Sequence, residues 1–567
     1  MKNNIKNVII SGILMVAVCA GCADVLNKND LSAVTEYDVW NDGLYAKAYL
    51  DKLCRDNLPS WNSGESGNSD ESHGGNSIMY GELTTASINE WPYDQIRNIN
   101  ILLANVDKGS IDPETQAVLK AQALVLRAWR YFGMVRRYGG VPMIMTPQDL
   151  NEDLYVTRTR TSECIRLIVQ DLDDAAGVLP WQWTGEDAGR ISKAAAVALK
   201  ARVLLYWASP QFNPGGDRER WNEACIANKY AREELEKNGY GLYENFEQLW
   251  FEEMNKEVVF VQRYQDPGRN HNWDTGTRPY EPGVSYASGH HPTLELVESF
   301  PMKDGRPITE SADYDPARYW LNRDPRFAQT VAYNSCVWEL PNATGTRMLD
   351  KVRLWTFSGY EANGPTPTGF YFRKACNPAY GAYEVFRSST DWIEIRYAEV
   401  MLNYAECAAE TGQLDEAYDM LKQIRRRAGI LAGSDDLYGL QSGMTPSEMI
   451  GAIMLERKVE FAAEGKRYWD LRRRRLFADE LNGSRRHRVY NTLLIPMDDF
   501  MSIKDRVDWN QDYSLYFEDT VDELDKTNVI NFRDNYYFYA IPNTHLERNS
   551  RLEQTQGWEN GTFNPLE

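Results

Sequence analysis

Histidine is scarce in this sequence, and the short motifs that carry most enzymatic chemistry are missing. The 567 residues include six histidines, and no H-E-x-x-H motif or cysteine–histidine cluster with zinc-ligand spacing is present. No G-x-S-x-G nucleophile motif occurs, and no glycine-rich loop has the Walker or Rossmann spacing. The sequence therefore disfavours metal catalysis, serine hydrolysis and nucleotide chemistry, and it predicts no cofactor and no metal site.

Cysteine is also sparse, and its spacing fits no metal site. Two of the eight cysteines lie in the first 22 residues. Several of the others fall inside helical patterns, where buried free thiols are common, so we expect few or no structural disulfides. The six outside the N-terminus are Cys54, Cys164, Cys225, Cys336, Cys376 and Cys407.

Long apolar runs are absent except at the N-terminus. Lys2 and Lys6 precede an apolar run from Val8 to about Ala20. A charged start, a short apolar stretch and small residues before a break are typical of a secretory signal. The run is too short for a comfortable membrane span, which needs ~20 apolar residues.

The pair formed by Cys19 and Cys22 ends this run, and we interpret it as part of a targeting signal. A redox pair is the weaker interpretation, because nothing around it resembles a βαβ unit. Ala20-Gly21-Cys22 is similar to the lipobox of bacterial lipoproteins, in which cleavage occurs before a cysteine that becomes lipidated. Bulky Val18 disfavours cleavage before Cys19. We predict a signal peptide at residues 1–21 and lipidation of Cys22; an ordinary signal peptide is the other alternative.

Negative charge dominates the chain. The formal net charge is −20, with a pI of about 5.0. This excess disfavours nucleic acid as a partner and weakly disfavours polyanionic ligands, because it repels rather than steers them. Aromatic residues make up 12% of the chain, with 17 Trp and 33 Tyr. Aromatic side chains fill hydrophobic cores, and their flat faces can also stack on ligands.

Helical periodicity covers residues 22–240 and 390–476 approximately. Two helix pairs in these stretches carry small residues at matching offsets: Ala224 and Ala231 lie seven apart, and Ala405 and Ala417 lie twelve apart. Small residues let paired helices approach closely, which is the tetratricopeptide arrangement of helix, turn and helix. Other helices are predicted over 40–57, after Trp91-Pro92, over about 113–137, and from a cap at Thr161 or Ser162.

Loop-rich sequence fills residues 243–390 and 477–567. The first part is rich in Gly, Pro, Asn and aromatics, with one short strand predicted in EVVFVQRYQ. Residues 60–77, SWNSGESGNSDESHGGNS, have a composition that predicts a long surface loop. Loops of such length in a compact protein are usually functional or disordered.

Five segments together resemble the SusD/RagB family and occur in its order. The stretch CADVLNKNDLSAVTEYDVWND is similar to the family's N-terminus after its lipidated cysteine, so the resemblance covers residues 22–567, predicted as a single SusD-like domain. The five segments are RAWRYFGMVRRYGGVPMI, GRISKAAAVALKARVLLYWA, IEIRYAEVMLNYAECAAETG, MLERKVEFAAEGKRYWDLRRRR and YYFYAIPNTHLERNSRLEQTQGW.

The resemblance implies a lipoprotein on the surface of a Gram-negative cell, anchored in the outer membrane by an acyl chain such as palmitate. It also implies a partner, a SusC-like TonB-dependent transporter barrel, for which such a protein serves as lid and ligand-capturing subunit, usually for glycans. The implied fold is mainly α: a divergent scaffold of tetratricopeptide-like helix pairs with a large loop-rich region that carries the ligand site.

Loop-borne aromatics are the candidate ligand-binding residues. A sugar presents an apolar C–H face and a rim of hydroxyls, so a binder needs a flat ring beside Asp, Asn or Arg. We expect several of these rings to be exposed, because loops lack enough core to bury them all. They are Trp61, Trp91, Trp273, Tyr280, Tyr286, Trp338 and Trp355. Four tryptophans in helical motifs are instead predicted to be core: Trp129, Trp207, Trp392 and Trp469.

Polar residues complete the candidate site. By position in the resemblance, the site lies within residues 61–91 and 273–373, which points to Asp70 and Arg373 beside Trp91 and Trp338. His290 is a candidate hydrogen-bond donor to the ligand, although a loop histidine without a ligand is the commoner situation.

A row of carboxylates raises the alternative of a glycosidase. Glu456, Glu460 and Glu464 lie at i, i+4 and i+8 on one helix face, and paired acids serve glycosidases. Arg457 and the Lys466-Arg467 pair are at hand to neutralise them, and ion-paired helix faces are far commoner than catalytic pairs. We assign the row to the scaffold and expect Arg472 to Arg475 to face solvent or pair with acids.

The sequence thus predicts a non-enzymatic surface lipoprotein that captures oligosaccharide and delivers it to a partner transporter. Capture of peptides or another nutrient by the same architecture is the first alternative. A glycosidase is the second, and a pure tetratricopeptide scaffold with inert loops is the third.

Overall fold

The computed structural model describes residues 35–61, 65–74, 77–149, 151–279, 290–338, 340, 353–360, 366–381 and 384–567. Helices dominate it, which confirms the mainly α prediction. The α-helices are α1 (Glu36–Asn41), α2 (Gly43–Asn57), α3 (Tyr93–Asn105), α4 (Pro113–Tyr138), α5 (Thr161–Ala176), α6 (Lys193–Ala208), α7 (Arg218–Lys237), α8 (Trp273–Thr277), α9 (Leu294–Ser299), α10 (Pro325–Thr330), α11 (Tyr397–Glu410), α12 (Leu414–Ala428), α13 (Pro446–Glu460), α14 (Arg467–Arg473), α15 (Met497–Ile503), α16 (Trp509–Tyr516) and α17 (Asn543–Arg548).

The strands of the described residues are short. They are β1 (Val258–Gln262), β2 (Val331–Ala332), β3 (Tyr371–Phe372), β4 (Trp392–Arg396), β5 (His487–Leu493), β6 (Phe517–Glu523), β7 (Gln554–Thr555) and β8 (Gly561–Phe563). They form four two-stranded ladders: β1 pairs with β4, β2 with β3 and β5 with β6, all antiparallel, while β7 and β8 are parallel. β1 is the strand predicted in EVVFVQRYQ.

The helical scaffold is a stack in which each long helix packs on the next. α4 packs on α5, α5 on α6, α6 on α7, α7 on α11, and α11 on both α12 and α13. Ala224, Ala231, Ala405 and Ala417 are all fully buried in this stack. The predicted helix pairs α6–α7 and α11–α12 are therefore confirmed, whereas their likeness to tetratricopeptide repeats stays a prediction.

Helix α4 is the longest of the described helices, and residues of its own sequence cap it at both ends. The Asp112 carboxylate accepts a hydrogen bond from the Thr115 backbone N–H at 2.9 Å, and Pro113 occupies the first turn, where its missing N–H costs nothing. Gly139 ends the helix with φ of 76°, a conformation that favours glycine. These signals set the two ends of the helix that forms one wall of the candidate site.

A few element boundaries differ from the sequence-based prediction. Asp42 interrupts the first predicted helix, because its side chain caps the Leu44 N–H at 2.7 Å and starts α2. α5 begins at Thr161 without any side-chain cap, so the predicted cap is wrong. Trp392 is buried as predicted, but it lies on β4 rather than in a helix.

The segment predicted as a surface loop, 60–77, is instead largely buried between residues 66 and 72. Arg486 explains how a Gly/Ser-rich segment becomes core. Its guanidinium donates to the carbonyl oxygens of Gly67 at 3.1 Å and Ser72 at 2.9 Å. One arginine offers five N–H donors, so it satisfies several backbone carbonyls that have no helix or sheet partner.

The carboxylate row belongs to a buried charge network, which confirms its assignment to the scaffold. The predicted single helix face is wrong for Glu464, because α13 ends at Glu460 and Glu464 lies in the turn that follows. Glu460 contacts Arg326 and Arg396 at 2.7 and 2.6 Å, and Glu464 contacts Arg396 and Lys374 at 2.9 and 2.5 Å. Three residues of the arginine run that follows pair with acids. Arg473 is fully buried and forms an ion pair with Glu406 at 2.5 Å. Arg474 forms one with Glu410 at 2.6 Å, and Arg475 forms one with Asp534. Arg472 pairs with no acid among the described residues and bonds to Tyr468 and the Tyr537 carbonyl.

None of the described helices combines the length and apolarity needed to cross a bilayer. The described cysteines, Cys54, Cys164, Cys225, Cys336, Cys376 and Cys407, are free thiols.

Candidate functional site

An open cleft, here called the arginine cleft, lies between α4, residues 55–60 and residues 465–469. It consists of two adjoining cavities of about 430 and 270 Å³, which share Pro59, Ser60, Trp129 and Arg136 as lining residues. Ligand pockets for small molecules span roughly 300–1,000 Å³. The arginine cleft is therefore large enough for part of an oligosaccharide.

One face of α4 forms the wall of the arginine cleft. Trp129, Gly133, Arg136 and Arg137 lie at i, i+4, i+7 and i+8, a spacing that places them on one side of a helix. Gly133 has no side chain, and a Cβ atom built there would meet only the tip of Arg137, at 3.9 Å. The gap at Gly133 is what leaves the wall concave.

Arg136 is the central charged group of the arginine cleft. Its guanidinium lies 3.7 Å from the Trp469 ring centroid and 6.0 Å from that of Trp129. No carboxylate pairs with it among the described residues, and its buried Nε atom has no hydrogen-bond partner there. Burial and the neighbouring Arg137 lower the pKa of Arg136, but arginine stays protonated at neutral pH. Glu65 and Glu394 act on Arg136 at longer range, so the cleft holds a guanidinium that stacks on an aromatic ring without a carboxylate in direct contact.

The residues around Arg136 are held by specific contacts. Glu65 accepts from Arg137 Nη2 at 2.8 Å and from the Trp469 indole N–H at 2.9 Å. Arg130 donates to Asn57 Oδ1 and to the Asp56 carbonyl, both at 2.7 Å. These contacts tie the last turn of α2, and Glu65 just before the buried 66–72 segment, to α4 and to Trp469.

Trp61 and Trp273 are buried, so they are not among the several rings of the predicted ligand-binding set that we expected to be exposed. Their centroids are 4.9 Å apart, and Trp61 also packs against Trp250 and Trp392 at 5.6 and 5.1 Å. The Trp61 indole N–H donates to the Thr390 carbonyl at 2.6 Å. The loop-rich region builds its own core from these rings, which is why they are not free to stack on a ligand.

Trp355 is buried for the same reason. It packs edge-on against Phe500 at 4.8 Å and Trp509 at 4.9 Å, in a second hydrophobic core formed by the loop-rich and C-terminal parts. Helices α15 and α16 cover this ring, so Trp355 is not one of the exposed members of the predicted set either.

Asp70 lies in a buried ion-pair cluster rather than on an open loop. Its carboxylate contacts Arg467 at 2.9 Å and Lys458 at 2.8 Å. Burial alone would raise the pKa of Asp70, but the two cations hold it below its usual range. These two ion pairs of Asp70 anchor the 66–72 segment on α13 and α14.

Trp338 and Arg373 are brought together, as the sequence analysis expected of a shared site. The guanidinium lies 6.0 Å from the Trp338 centroid and donates to the Val337 carbonyl at 3.0 Å. However, Trp338 is buried, and the cavity beside the pair measures about 30 Å³. That volume is the share of a single water molecule, so no sugar ring fits there in this structure.

Trp91 and His290 are half-buried, so parts of their rings face solvent. Trp91 stacks on His545 at 5.3 Å, and its neighbours Glu90 and Pro92 line the arginine cleft. His290 packs against Trp273 at 5.3 Å, and burial lowers its pKa. Tyr280, Tyr286 and the predicted lipidation site Cys22 lie outside the described residues.

Sequence reasoning missed the arginine cleft because its residues lie in helical motifs. Trp129 and Trp469 were predicted to be core, and both are buried, but both also line the cleft. The available signal was the spacing of Trp129, Gly133 and Arg136, with two adjacent arginines near the helix end.

Glu71, at the end of the buried 66–72 segment, provides a pH-dependence prediction. Its side chain is fully buried, and Oε1 accepts from the Ala463 N–H at 2.7 Å. Burial raises the pKa of Glu71 to about 7, from an ordinary value of 4.5. The stability that the protonated carboxyl contributes is therefore fully present below pH 4.5 and is lost as pH rises towards 7.

We expect Glu71→Gln to remove this dependence, because the amide is neutral at every pH. Urea unfolding at pH 4.5 and pH 7.5 measures it. The variant should match the wild type at the lower pH and exceed its free energy of unfolding by about 2–3 kcal/mol at the higher pH. A difference that does not change with pH would contradict a protonated Glu71.

Comparison with known proteins identifies the class to which this helical stack and cleft belong. A sequence profile described as "SusD family" matches residues 256–558, which is more than half of the chain. A second profile, described as "Starch-binding associating with outer membrane", matches residues 25–205. The chain belongs to the SusD family, as its sequence motifs predicted.

Relatives extend this assignment along most of the chain. SusD-like protein P2 of Formosa agariphila is 25% identical over 405 residues, covering 68% of this chain and 71% of the relative. SusD-like protein P38 of the same organism is 24% identical over 503 residues, covering 82% and 91%.

Solved structures share the fold. A SusD-like protein from Bacteroides fragilis superposes with a TM-score of 0.74 at 23% identity, covering 94% of this chain and 100% of that one. A structure described as a laminarin-binding SusD-like protein gives a TM-score of 0.59 at 19% identity, covering 91% and 100%.

Proposed function

We propose that this protein captures an oligosaccharide at the cell surface and delivers it to a SusC-like TonB-dependent transporter of the outer membrane. The observation that carries the proposal is the arginine cleft. It combines ligand-sized volume, indole rings and, in Arg136, a guanidinium Nε–H that has no acceptor among the described residues. Sugars bind through apolar contact with rings and hydrogen bonds at their hydroxyl rim. Membership of the SusD family and the laminarin-binding neighbour support glycan as the ligand class.

Capture fits the carboxylate row of Glu456, Glu460 and Glu464 better than catalysis does. A glycosidase acid needs a carboxyl with a raised pKa, paired with a second carboxylate across the bond that is cleaved. Burial alone would raise the pKa of Glu460, but Arg427, Arg396 and Arg326 together hold it well below its usual range. Glu456 and Glu464 are likewise held ionised by buried cations, so none of the three serves as a proton donor.

The proposed ligand contacts come mainly from α4 and the segment before the 66–72 loop. Trp129, Arg130 and Arg136 form the wall, Ser60 lies at the junction of the two cavities, and half-buried Trp91 lies beside the rim. The earlier candidates His290 and Arg373 stay predictions for a second contact region, since both are partly exposed.

Titration of the purified protein against a glycan panel and a peptide panel tests the proposal. We expect binding to at least one oligosaccharide family, with modest affinity because the ligand must be released into the transporter. Peptide binding without any glycan signal would support nutrient capture of another kind. Release of shortened products on prolonged incubation with a bound glycan would support a glycosidase instead.

The lipid anchor gives a separate prediction. We expect Cys22→Ser to shift the protein from the outer-membrane fraction to a soluble fraction and to abolish labelling by a palmitate analogue. The matched control is Cys19→Ser, which lies three residues away and should leave both readouts unchanged. Labelling that is lost in Cys19→Ser and kept in Cys22→Ser would show that the cleavage site is assigned wrongly.

A further inference from the structure

The larger cavity of the arginine cleft has a charge opposite to that of the whole protein. Five arginines line it against two carboxylates, in a chain with a formal net charge of −20. An excess of one sign of charge on the walls of a cleft focuses the electrostatic field in its interior, whatever the sign of the total charge. The four glutamates that line the smaller cavity are all paired with basic residues. The arginines are Arg55, Arg130, Arg136, Arg137 and Arg269.

Three of these arginines are not neutralised by the protein. Among the residues that the structure describes, Arg130, Arg136 and Arg269 form no ion pair with a carboxylate. Arg130 bonds to an amide and a backbone carbonyl, and Arg269 reaches only the Arg55 carbonyl, at 3.3 Å. Desolvating a guanidinium without an anion is costly, so such a cluster is unfavourable unless something else compensates it.

Two arginines of the protein core, Arg326 and Arg396, behave differently. Arg326 contacts Asp324, Glu456 and Glu460, all at 2.7 Å, and Arg396 contacts three glutamates. Fully buried Arg472 has no acid partner among the described residues, but a hydroxyl and a carbonyl oxygen accept from it. Arg136, the charged lining residue that the two cavities share, has neither kind of contact there.

The geometry of Arg136 suits a planar or tetrahedral anion. Stacking on Trp469 at 3.7 Å fixes the plane of its guanidinium against one ring face. A guanidinium offers N–H groups in a fixed fork that matches the oxygens of a carboxylate or a sulfate ester. Held in this way, the Arg136 guanidinium loses little conformational entropy when it binds an anion. Arg130 lies about one helical turn and a half away and lines the same cavity.

We propose that the arginine cleft selects anionic oligosaccharides, in which a carboxylate or sulfate group on a sugar ring pairs with Arg136. This inference rests on the proposed function, because it names the substrate class of the same cleft. It also corrects the simplest interpretation of the net charge, under which polyanionic ligands are disfavoured. The global repulsion acts at long range and is screened by salt, whereas the pairing acts at contact distance.

Binding of charge-matched ligands by the unmodified protein tests the inference without any variant. The probes are an oligogalacturonate, a sulfated galactan oligosaccharide and a neutral laminarin oligosaccharide of equal length, titrated by calorimetry at 50 and 300 mM NaCl. We expect at least one anionic probe to bind about tenfold or more tightly than the neutral probe at 50 mM salt, since hydrogen bonds to charged groups are among the stronger ones. We expect this advantage to shrink at 300 mM salt.

The two anionic probes also separate the possible sources of the charge. Preference for the oligogalacturonate identifies a uronate ligand, and preference for the sulfated probe identifies a sulfate ester; both outcomes support the inference. Equal or tighter binding of the neutral probe overturns the inference and leaves the proposed function intact. Failure of every glycan to bind overturns the proposed function as well.

Substitution of Arg136 tests the location. Arg136→Gln should remove most of the anionic advantage, and Arg136→Lys should restore only part of it, because the ammonium lacks the fork. The matched control is Arg220→Gln, since Arg220 also stacks at 3.7 Å on a tryptophan, Trp207, but outside the cleft. Unchanged selectivity in a folded Arg136→Gln protein would overturn the inference for this cleft.

Discussion

We expect Gly133→Phe to abolish oligosaccharide binding. Gly133 lies in the middle of the α4 wall, and its missing side chain is what makes room between Trp129 and Arg137. A phenyl ring there would occupy the cleft without removing any polar partner. We expect the affinity to fall by about 100-fold or more, which corresponds to roughly 3 kcal/mol, as measured by calorimetry with the ligand found in the glycan panel.

Gly451→Phe provides the matched control for this substitution. Gly451 lies inside α13, is exposed, and has no atom within 4 Å of the position that a Cβ would take. Glycine is a poor helix former, by roughly 1 kcal/mol relative to alanine, so neither substitution should weaken its helix. Wild-type affinity in Gly133→Phe, with the fold intact by circular dichroism, would exclude the arginine cleft as the ligand site.

The second large effect concerns stability, at Glu460. We expect Glu460→Gln to lower the free energy of unfolding by about 3–5 kcal/mol, the usual cost of removing one partner from a buried ion pair. Its carboxylate is fully buried and contacts Arg326, Arg396 and Arg427. Loss of the negative charge would leave three buried guanidinium groups with less compensation than they have now.

Urea unfolding at pH 7 measures this effect, and Glu163→Gln is the control. Glu163 also pairs with an arginine, Arg166, at 2.5 Å, but both side chains are exposed. Exposed pairs contribute little because water screens them, so the control should be indistinguishable from the wild type. Equal stability of Glu460→Gln and Glu163→Gln would show that the α13 network does not stabilise the fold.

The sequence predicts the helical scaffold well because its signals are local. Asp112 and Pro113 start α4, Gly139 ends it, and small residues such as Ala405 and Ala417 mark where helices approach. Each of these features depends on residues a few positions apart, so no knowledge of the tertiary fold is needed to interpret it.

The loop-rich part was predicted less well because its burial depends on distant partners. The 66–72 segment is polar and glycine-rich, yet it is buried because Arg486 and Arg467, some 400 positions away, supply its carbonyls and Asp70 with donors. Trp61 is buried by rings from residues 250, 273 and 392. Composition alone does not report contacts of this kind, so exposure was overestimated there.

The candidate site itself was predicted only in part. Trp91, a predicted ligand-binding residue, lies between two lining residues of the cleft, Glu90 and Pro92, and its role stays a prediction. The wall was missed because Trp129 was assigned to the core and Arg136 was not singled out. A helical residue can be buried by its neighbours and still line a cavity, and only the structure distinguishes the two situations.

A crystal structure of the protein with an oligosaccharide from the glycan panel tests the central claim most directly. The proposed function predicts a sugar ring in the arginine cleft, within hydrogen-bond distance of Arg136 or Ser60 and in contact with the Trp129 ring. A sugar bound only elsewhere, for example beside Trp338 and Arg373, with the cleft holding solvent alone, would contradict it.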